Sequence, residues 1–222
     1  MLYVVATPIG DVSEISLRAL EILKSAEVII CESTKEASKL LRAHGISGKT
    51  YELLNEHTTT EEVKALAEIC THKQAALVSD CGTPGFCDPG AHLVKLCRQK
   101  KIQVKSVLGA SALMGLLSLS GERIDQFIFR GFLPAENEAR KKALQDIQKE
   151  KRPLILMDTP YRLKKTLSDL QEFFPKRRLL LALNLTQTDE TLLEGTADSL
   201  AKQLPFEKAE FMILLYGEGS NY

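Results

Sequence analysis

The sequence predicts an α/β protein of two domains, the first a mostly parallel sheet with helices on both faces and the second a mixed α/β sheet. Three observations carry this reading. Short apolar runs alternate with amphipathic helical segments through the first half. Parallel neighbours cannot be joined by a tight hairpin, so such alternation implies crossover helices. In the second half, Leu179 to Leu183 and Thr191 to Glu194 are joined by a connection too short for a helix, which calls for antiparallel pairing.

The first-half strands are Leu2 to Ala6, Val28 to Cys31, Tyr51 to Leu54, Ala75 to Ser79 and Val104 to Leu108. Between them, Leu17, Leu20, Glu21, Leu23 and Lys24 put apolar and charged side chains on opposite faces at the 3.6-residue period. Ser33 with Glu36, and Thr59 with Glu62, have the spacing of capping boxes. A small-residue helix follows from Ala110 to Ser120, and Ser120-Gly121-Glu122-Arg123 then reads as a linker, dividing the chain into domains 1–122 and 123–222. The second half continues with a strand at Phe127 to Phe132, a charged helix ending near Glu150, and a strand at Leu154 to Met157. A helix at Leu163 to Phe174, the two strands already named, a helix at Thr196 to Leu204 and a strand at Phe211 to Tyr216 complete it.

With 44% hydrophobic and 26% charged residues among 222, the composition is that of a folded globular chain and excludes a disordered one. The N-terminus lacks the basic flank and long apolar run of a targeting segment, and no stretch is long enough for a membrane span, so a cytoplasmic protein is expected. Five cysteines without a C-x-x-C pair argue against a disulfide framework. Cys81 and Cys87 read as small apolar fillers, since no histidine lies near enough in sequence to complete a metal site; no metal is expected. Formal net charge is zero. Basic residues nevertheless cluster in the second half, at Arg140-Lys141-Lys142, Lys149 to Arg152, Lys164-Lys165 and Lys176-Arg177-Arg178. These could face a phosphate backbone or form solvated helix faces.

Three glycine-containing turns each follow a first-domain strand: Thr7-Pro8-Ile9-Gly10, Asp80 to Gly90, and Gly109-Ala110-Ser111-Ala112. In an open parallel sheet, ligands bind outside the carboxyl ends of the strands, so all three turns are expected at one binding edge. In Asp80 to Gly90, Gly82 and Gly85 let a ligand approach the backbone, Pro84 stiffens the turn and Pro89 suits the first turn of the next helix. Asp80 and Asp88 suit a cationic ligand with an amino group better than a phosphate. Neither a Rossmann fingerprint nor a P-loop is present.

Taken in order, ATPIG, SDCGTPGFCDPG, VLGASAL, FRGFLP and MDTPYR resemble the tetrapyrrole methylase superfamily and, within it, the ribosomal RNA small subunit methyltransferase I branch. The resemblance runs from Leu2 to about Tyr216. It implies two α/β domains, S-adenosyl-L-methionine as methyl donor, RNA of the small ribosomal subunit as acceptor through a 2′-hydroxyl, and a homodimer. A tetrapyrrole or other small-molecule acceptor, or a cofactor-binding homologue without turnover, are the alternatives. Carried over by residue, it places the cofactor against Pro8, Asp80, Gly82, Thr83, Gly85, Ser111 and Ala112, with Met157, Asp158, Ala182, Leu183 and Asn184 opposite. A ribose hydroxyl gains from a general base, and Glu32, Glu56 and His57, which follow the second and third strands, are the candidates. Two departures from the branch stand out: Glu32-Ser33-Thr34-Lys35 replaces an acidic pair followed by Thr-Arg, and Leu183-Asn184-Leu185-Thr186-Gln187 replaces Arg-Glu-Leu-Thr-Lys.

Overall fold

The computed structural model describes residues 1–217 and Gly219. The chain divides into two compact units, Met1–Ser111 and Ala112–Tyr222.

The first unit contains β1 (Leu2–Val5), α1 (Leu17–Ser25), β2 (Val28–Cys31), α2 (Thr34–Ala43), β3 (Thr50–Leu53), α3 (Thr60–His72), β4 (Ala75–Leu77), α4 (Ala91–Gln99) and β5 (Val104–Val107). The strands form one wholly parallel sheet in the order β3-β2-β4-β1-β5. Side chains alternate across a strand, and here both alternating sets are apolar, as a sheet covered on two sides requires. Tyr3, Val5, Ile29, Cys31, Ala76 and Val78 pack with Ala19 and Leu23 of α1 and Ala37 and Leu41 of α2. Leu2, Val28, Ile30, Ala75 and Leu77 pack on the other face with Val63, Leu66 and Cys70 of α3 and Leu93 and Cys97 of α4. The sheet is therefore doubly wound.

Thr59 and Glu62 form the expected capping box. Ser33 caps α2 through its hydroxyl, which accepts the Glu36 N–H at 3.3 Å. The reciprocal half differs from expectation, because the Ser33 backbone N–H bonds to Asp80. The start of α2 is thus tied to the turn after β4, a non-local bond that sequence spacing does not reveal. Pro89 also falls outside the helix it was expected to open; α4 starts at Ala91 behind a Gly90 N-cap with φ 136°.

The second unit contains α5 (Ala112–Ser118), β6 (Ile128–Phe132), α6 (Asn137–Gln148), β7 (Leu154–Asp158), a 3-10 turn at Pro160–Arg162, α7 (Leu163–Phe173), β8 (Leu179–Leu183), β9 (Thr191–Gly195), α8 (Ala197–Gln203) and β10 (Phe211–Leu215). Its sheet is mixed, in the order β6-β7-β10-β8-β9. β6 and β7 are parallel, and β10 is antiparallel to both β7 and β8. The short connection after β8 leads into antiparallel β9, as its length dictates. One sheet face, including Leu156, Leu181, Leu183, Phe211 and Ile213, is covered by Leu144 of α6, Leu163 and Leu167 of α7 and Leu200 of α8. The stretch read as a linker is anchored in this unit: the Tyr216 hydroxyl donates to Ser120 O at 2.7 Å, and Glu122 pairs with Arg178. Among the described residues, no helix is long and apolar enough to cross a membrane.

Candidate functional site

In the first unit, the helices after β1 and β2 pack on one face of the sheet, while the helix after β4 packs on the other. β4 lies between β1 and β2. In open α/β sheets such a reversal of direction is where ligands bind, in the crevice outside the carboxyl end of the strand. The residues at that end of β4 come from the turns after β1, β2 and β4.

Their backbones are fixed together. Thr7 and Gly82 form an isolated antiparallel bridge, with Thr7 N donating to Gly82 O at 2.8 Å and Gly82 N to Thr7 O at 3.1 Å. The Thr7 hydroxyl donates to Ser79 O at 3.3 Å. Gly82 and Gly85 have φ of 78° and 79°, conformations that glycine adopts freely. Gly109, after β5, lies so close to β1 that a Cβ there would stand 3.0 Å from that of Ala6. The three glycine turns therefore share one sheet edge.

Three carboxylates gather there. Burial, then the charges of Asp88 and Asp80, push Glu32 up to about 7, against a hydrogen bond from the Asp80 N–H. Partial burial and then the Glu36 charge raise Asp80, although its side chain reaches the surface. Burial and the Asp80 charge raise Asp88, opposed by the Ser79 hydroxyl. Burial, then the charges of Asp80 and Glu32, lift the Cys31 thiol to about 11, which keeps it neutral and unreactive. Among the described residues, Glu32, Asp80 and Asp88 form no ion pair. A set of mutually repelling carboxylates fits a cation, whose binding would relieve the repulsion.

The other candidates are placed as follows. Pro8 and Gly82 are buried beside the crevice, Gly85 is half-buried and Thr83 is exposed. Ser111 and Ala112, both half-buried, follow β5. Glu56 and His57 lie beyond edge strand β3, 83% and 84% exposed, and pair with each other at 3.5 Å. In the second unit, Met157 and Ala182 share a cross-strand row through Met212, on the sheet face opposite the one α6 to α8 cover. Leu183 points the other way, into the helix-covered core. Asp158 is buried and spends its carboxylate on Arg140 at 2.8 Å, Arg162 at 3.2 Å and the Thr159 N–H at 2.9 Å. Asn184, at φ 49°, donates to Asp189 at 2.8 Å and accepts the Glu210 N–H at 3.0 Å.

Two sequence expectations are corrected here. Cys81 and Cys87 are exposed rather than packing fillers, because the turn lifts them off the sheet. Arg140 and Arg177, read as members of basic surface clusters, are buried, Arg140 to 1% exposure. Arg140 is held by Asp158, Asp169 and Thr166, and Arg177 by the carbonyls of Glu150, Arg152 and Tyr216. Asp88 and Met212 are the residues that sequence reasoning underweighted. Asp88 was visible in the glycine turn, but its coupling to Glu32 depends on strand order, and Met212 emerges only from strand register.

A doubly wound sheet with three carboxylates gathered at its switch point, followed by a mixed α/β sheet, defines the chain as a two-unit α/β protein. The chain belongs to the Tetrapyrrole (Corrin/Porphyrin) Methylases, whose family model matches residues 1–201, and it is a methyltransferase. It is 38% identical to the Ribosomal RNA small subunit methyltransferase I of Neisseria meningitidis serogroup B, covering 97% of this chain and 75% of the relative. The protein of the same name from Leptospira biflexa is 36% identical, covering 97% and 90%. Among solved structures, diphthine synthase superposes with a TM-score of 0.79 at 16% identity, over 98% of this chain and 90% of that one. A cobalt precorrin-4 methyltransferase gives 0.68 at 18% identity, over 97% and 94%.

Proposed function

We propose that this protein transfers a methyl group from S-adenosyl-L-methionine to a 2′-hydroxyl of small-subunit ribosomal RNA, and that it works in the cytoplasm as a homodimer. The donor is supported by the turns at the carboxyl end of β4, where Glu32, Asp80 and Asp88 crowd with no ion pair among the described residues. The acceptor RNA is supported by relatives that match 97% of this chain and are named Ribosomal RNA small subunit methyltransferase I.

The donor carries a methyl on a sulfonium, together with an ammonium and ribose hydroxyls, so it presents cations and hydrogen-bond donors to the protein. Gly82 and Gly85 leave the backbone open to it, while Pro8 and the Thr7–Gly82 bridge hold that backbone still. Asp80 and Asp88 accept its donors. Within the second unit, Met157 and Ala182 form one apolar row through Met212. Displacement at carbon demands alignment of the methyl with the acceptor oxygen, and orientation supplies most of the rate. The hydroxyl proton leaves as the new O–C bond forms and the S–C bond breaks. Glu32, held near neutrality, is matched to accept it. Glu56 and His57, in solvent beyond β3, suit contacts with the acceptor strand rather than proton removal.

The test is incubation of purified protein with methyl-labelled donor and small ribosomal subunits lacking the modification. Label in a 2′-O-methyl nucleotide is expected. Donor binding by calorimetry with no transfer to RNA would instead favour a non-catalytic homologue, and transfer to a tetrapyrrole alone would move the assignment to a small-molecule acceptor.

A further inference from the structure

Tyr161 is 78% exposed, against 61% for Phe86 and 42% for Phe132. Large aromatic rings normally bury most of their surface, so a ring held out in water calls for explanation. Its backbone is not loose. Tyr161 sits at the middle of the 3-10 turn between β7 and α7, where Pro160 fixes one φ and the Arg162 N–H closes the turn on Thr159 O at 2.9 Å. Beneath the turn, Asp158 binds both Arg162 and the buried Arg140, which in turn is bonded to Asp169 at 2.5 Å and Thr166 at 2.8 Å. A buried network of this kind clamps the turn while the ring stays outside.

Cations stand close to the ring. Lys208 places its ammonium 4.5 Å from the ring centroid. Lys165 is exposed and only loosely paired with Asp169 at 3.6 Å, and Lys164 pairs with the exposed Glu207. Around the turn, Arg162, Lys164, Lys165 and Lys208 stand with two exposed carboxylates, Glu207 and Glu210. The position also matters. The turn follows the carboxyl end of β7, and Lys208 precedes β10, whose Phe211 pairs with both Asp158 and Leu183. This is the sheet edge at which Met157 and Ala182 lie.

We infer that Tyr161 is a stacking platform for an unpaired base of the RNA acceptor, with Lys208 and Lys165 taking the flanking phosphates. The inference rests on the RNA reading above. A base has an apolar face whatever its identity, so one open ring face with cations beside it binds single-stranded RNA without reading its sequence. Lys208 makes a cation–π contact with the ring, which stays 78% exposed.

The experiment uses the full-length protein, a short fluorescein-labelled single-stranded RNA for anisotropy, and unmodified small ribosomal subunits as methyl acceptor. Tyr161→Ala is expected to weaken RNA binding roughly tenfold and to raise KM for the subunits, with affinity for the donor and the thermal midpoint unchanged. Tyr161→Phe retains the π-face and should bind as wild type does. Lys208→Ala should weaken binding and reduce the salt slope by about one. Wild-type methylation with unaltered RNA affinity and KM in Tyr161→Ala overturns the platform alone, as does equal loss in Tyr161→Ala and Tyr161→Phe. Absence of both RNA binding and methylation in the wild-type protein overturns the functional reading, and the platform with it.

Discussion

Glu32 is where the chemistry of a single residue can be tested most directly. Its carboxyl is pushed up to about 7 by burial and by Asp88 and Asp80. As a general base it must be ionised, so kcat/KM, which reports the free enzyme, is expected to rise with pH through about 7 and then level off. Glu32→Gln should lower kcat by roughly 10²–10⁴-fold and abolish that limb. The same substitution should stabilise the protein. A carboxyl near 4.5 when unfolded and about 7 when folded holds its proton more tightly in the native state, so stability falls as pH rises between those values. Above pH 7 the deficit is complete, and glutamine removes it. Allowing for solvent screening at this half-exposed site, the gain is about 1 kcal/mol, read from urea denaturation at pH 8 and vanishing below pH of about 4.5. A loss of stability at pH 8 would show that the carboxylate is instead compensated.

Elements are joined through residues whose sequence neighbours disguise them. Arg140 lies in a run with Lys141 and Lys142 that reads as a solvated helix face, yet it is buried where α6, β7 and α7 meet. Arg140→Met leaves one oxygen of the buried Asp158 without a counter-charge and Asp169 with only its 3.6 Å contact to Lys165, and should cost about 3–5 kcal/mol of unfolding free energy, measured by denaturant titration. Lys141→Met, exposed on the same helix, should change stability by less than about 0.5 kcal/mol. The connection from β8 to β9 shows a related effect. Asn184 and Thr186 are both left-handed there, and the Asn184–Asp189 bond with the Glu190 carboxylate on the Thr186 N–H closes the turn on itself. Asparagine tolerates that backbone better than most residues, which gives this departure from the family pattern a structural role.

At the scale of the whole molecule, a net charge of zero means that RNA affinity must come from local surfaces rather than from a general field. The homodimer is checked by sedimentation velocity, where twice the monomer mass is expected at micromolar concentration and a single monomeric species would remove it. The order and kind of elements could be read from sequence because they rest on short-range physics: apolar period, capping hydroxyls, and glycines and prolines at turns. The family could be read from the ordered motifs ATPIG, SDCGTPGFCDPG, VLGASAL, FRGFLP and MDTPYR, because each is a short run of contiguous residues. What only the tertiary structure decided is non-local. The strand order β3-β2-β4-β1-β5 brings the turn after β4 between those after β1 and β2, and so joins Glu32 to Asp80 and Asp88 across 48 and 56 residues of chain. Register alone places Met212 between Met157 and Ala182, and packing alone buries Arg140 while leaving Tyr161 in water. Periodicity reports which face of an element is apolar; which elements then become neighbours is settled by how all of those faces are buried together.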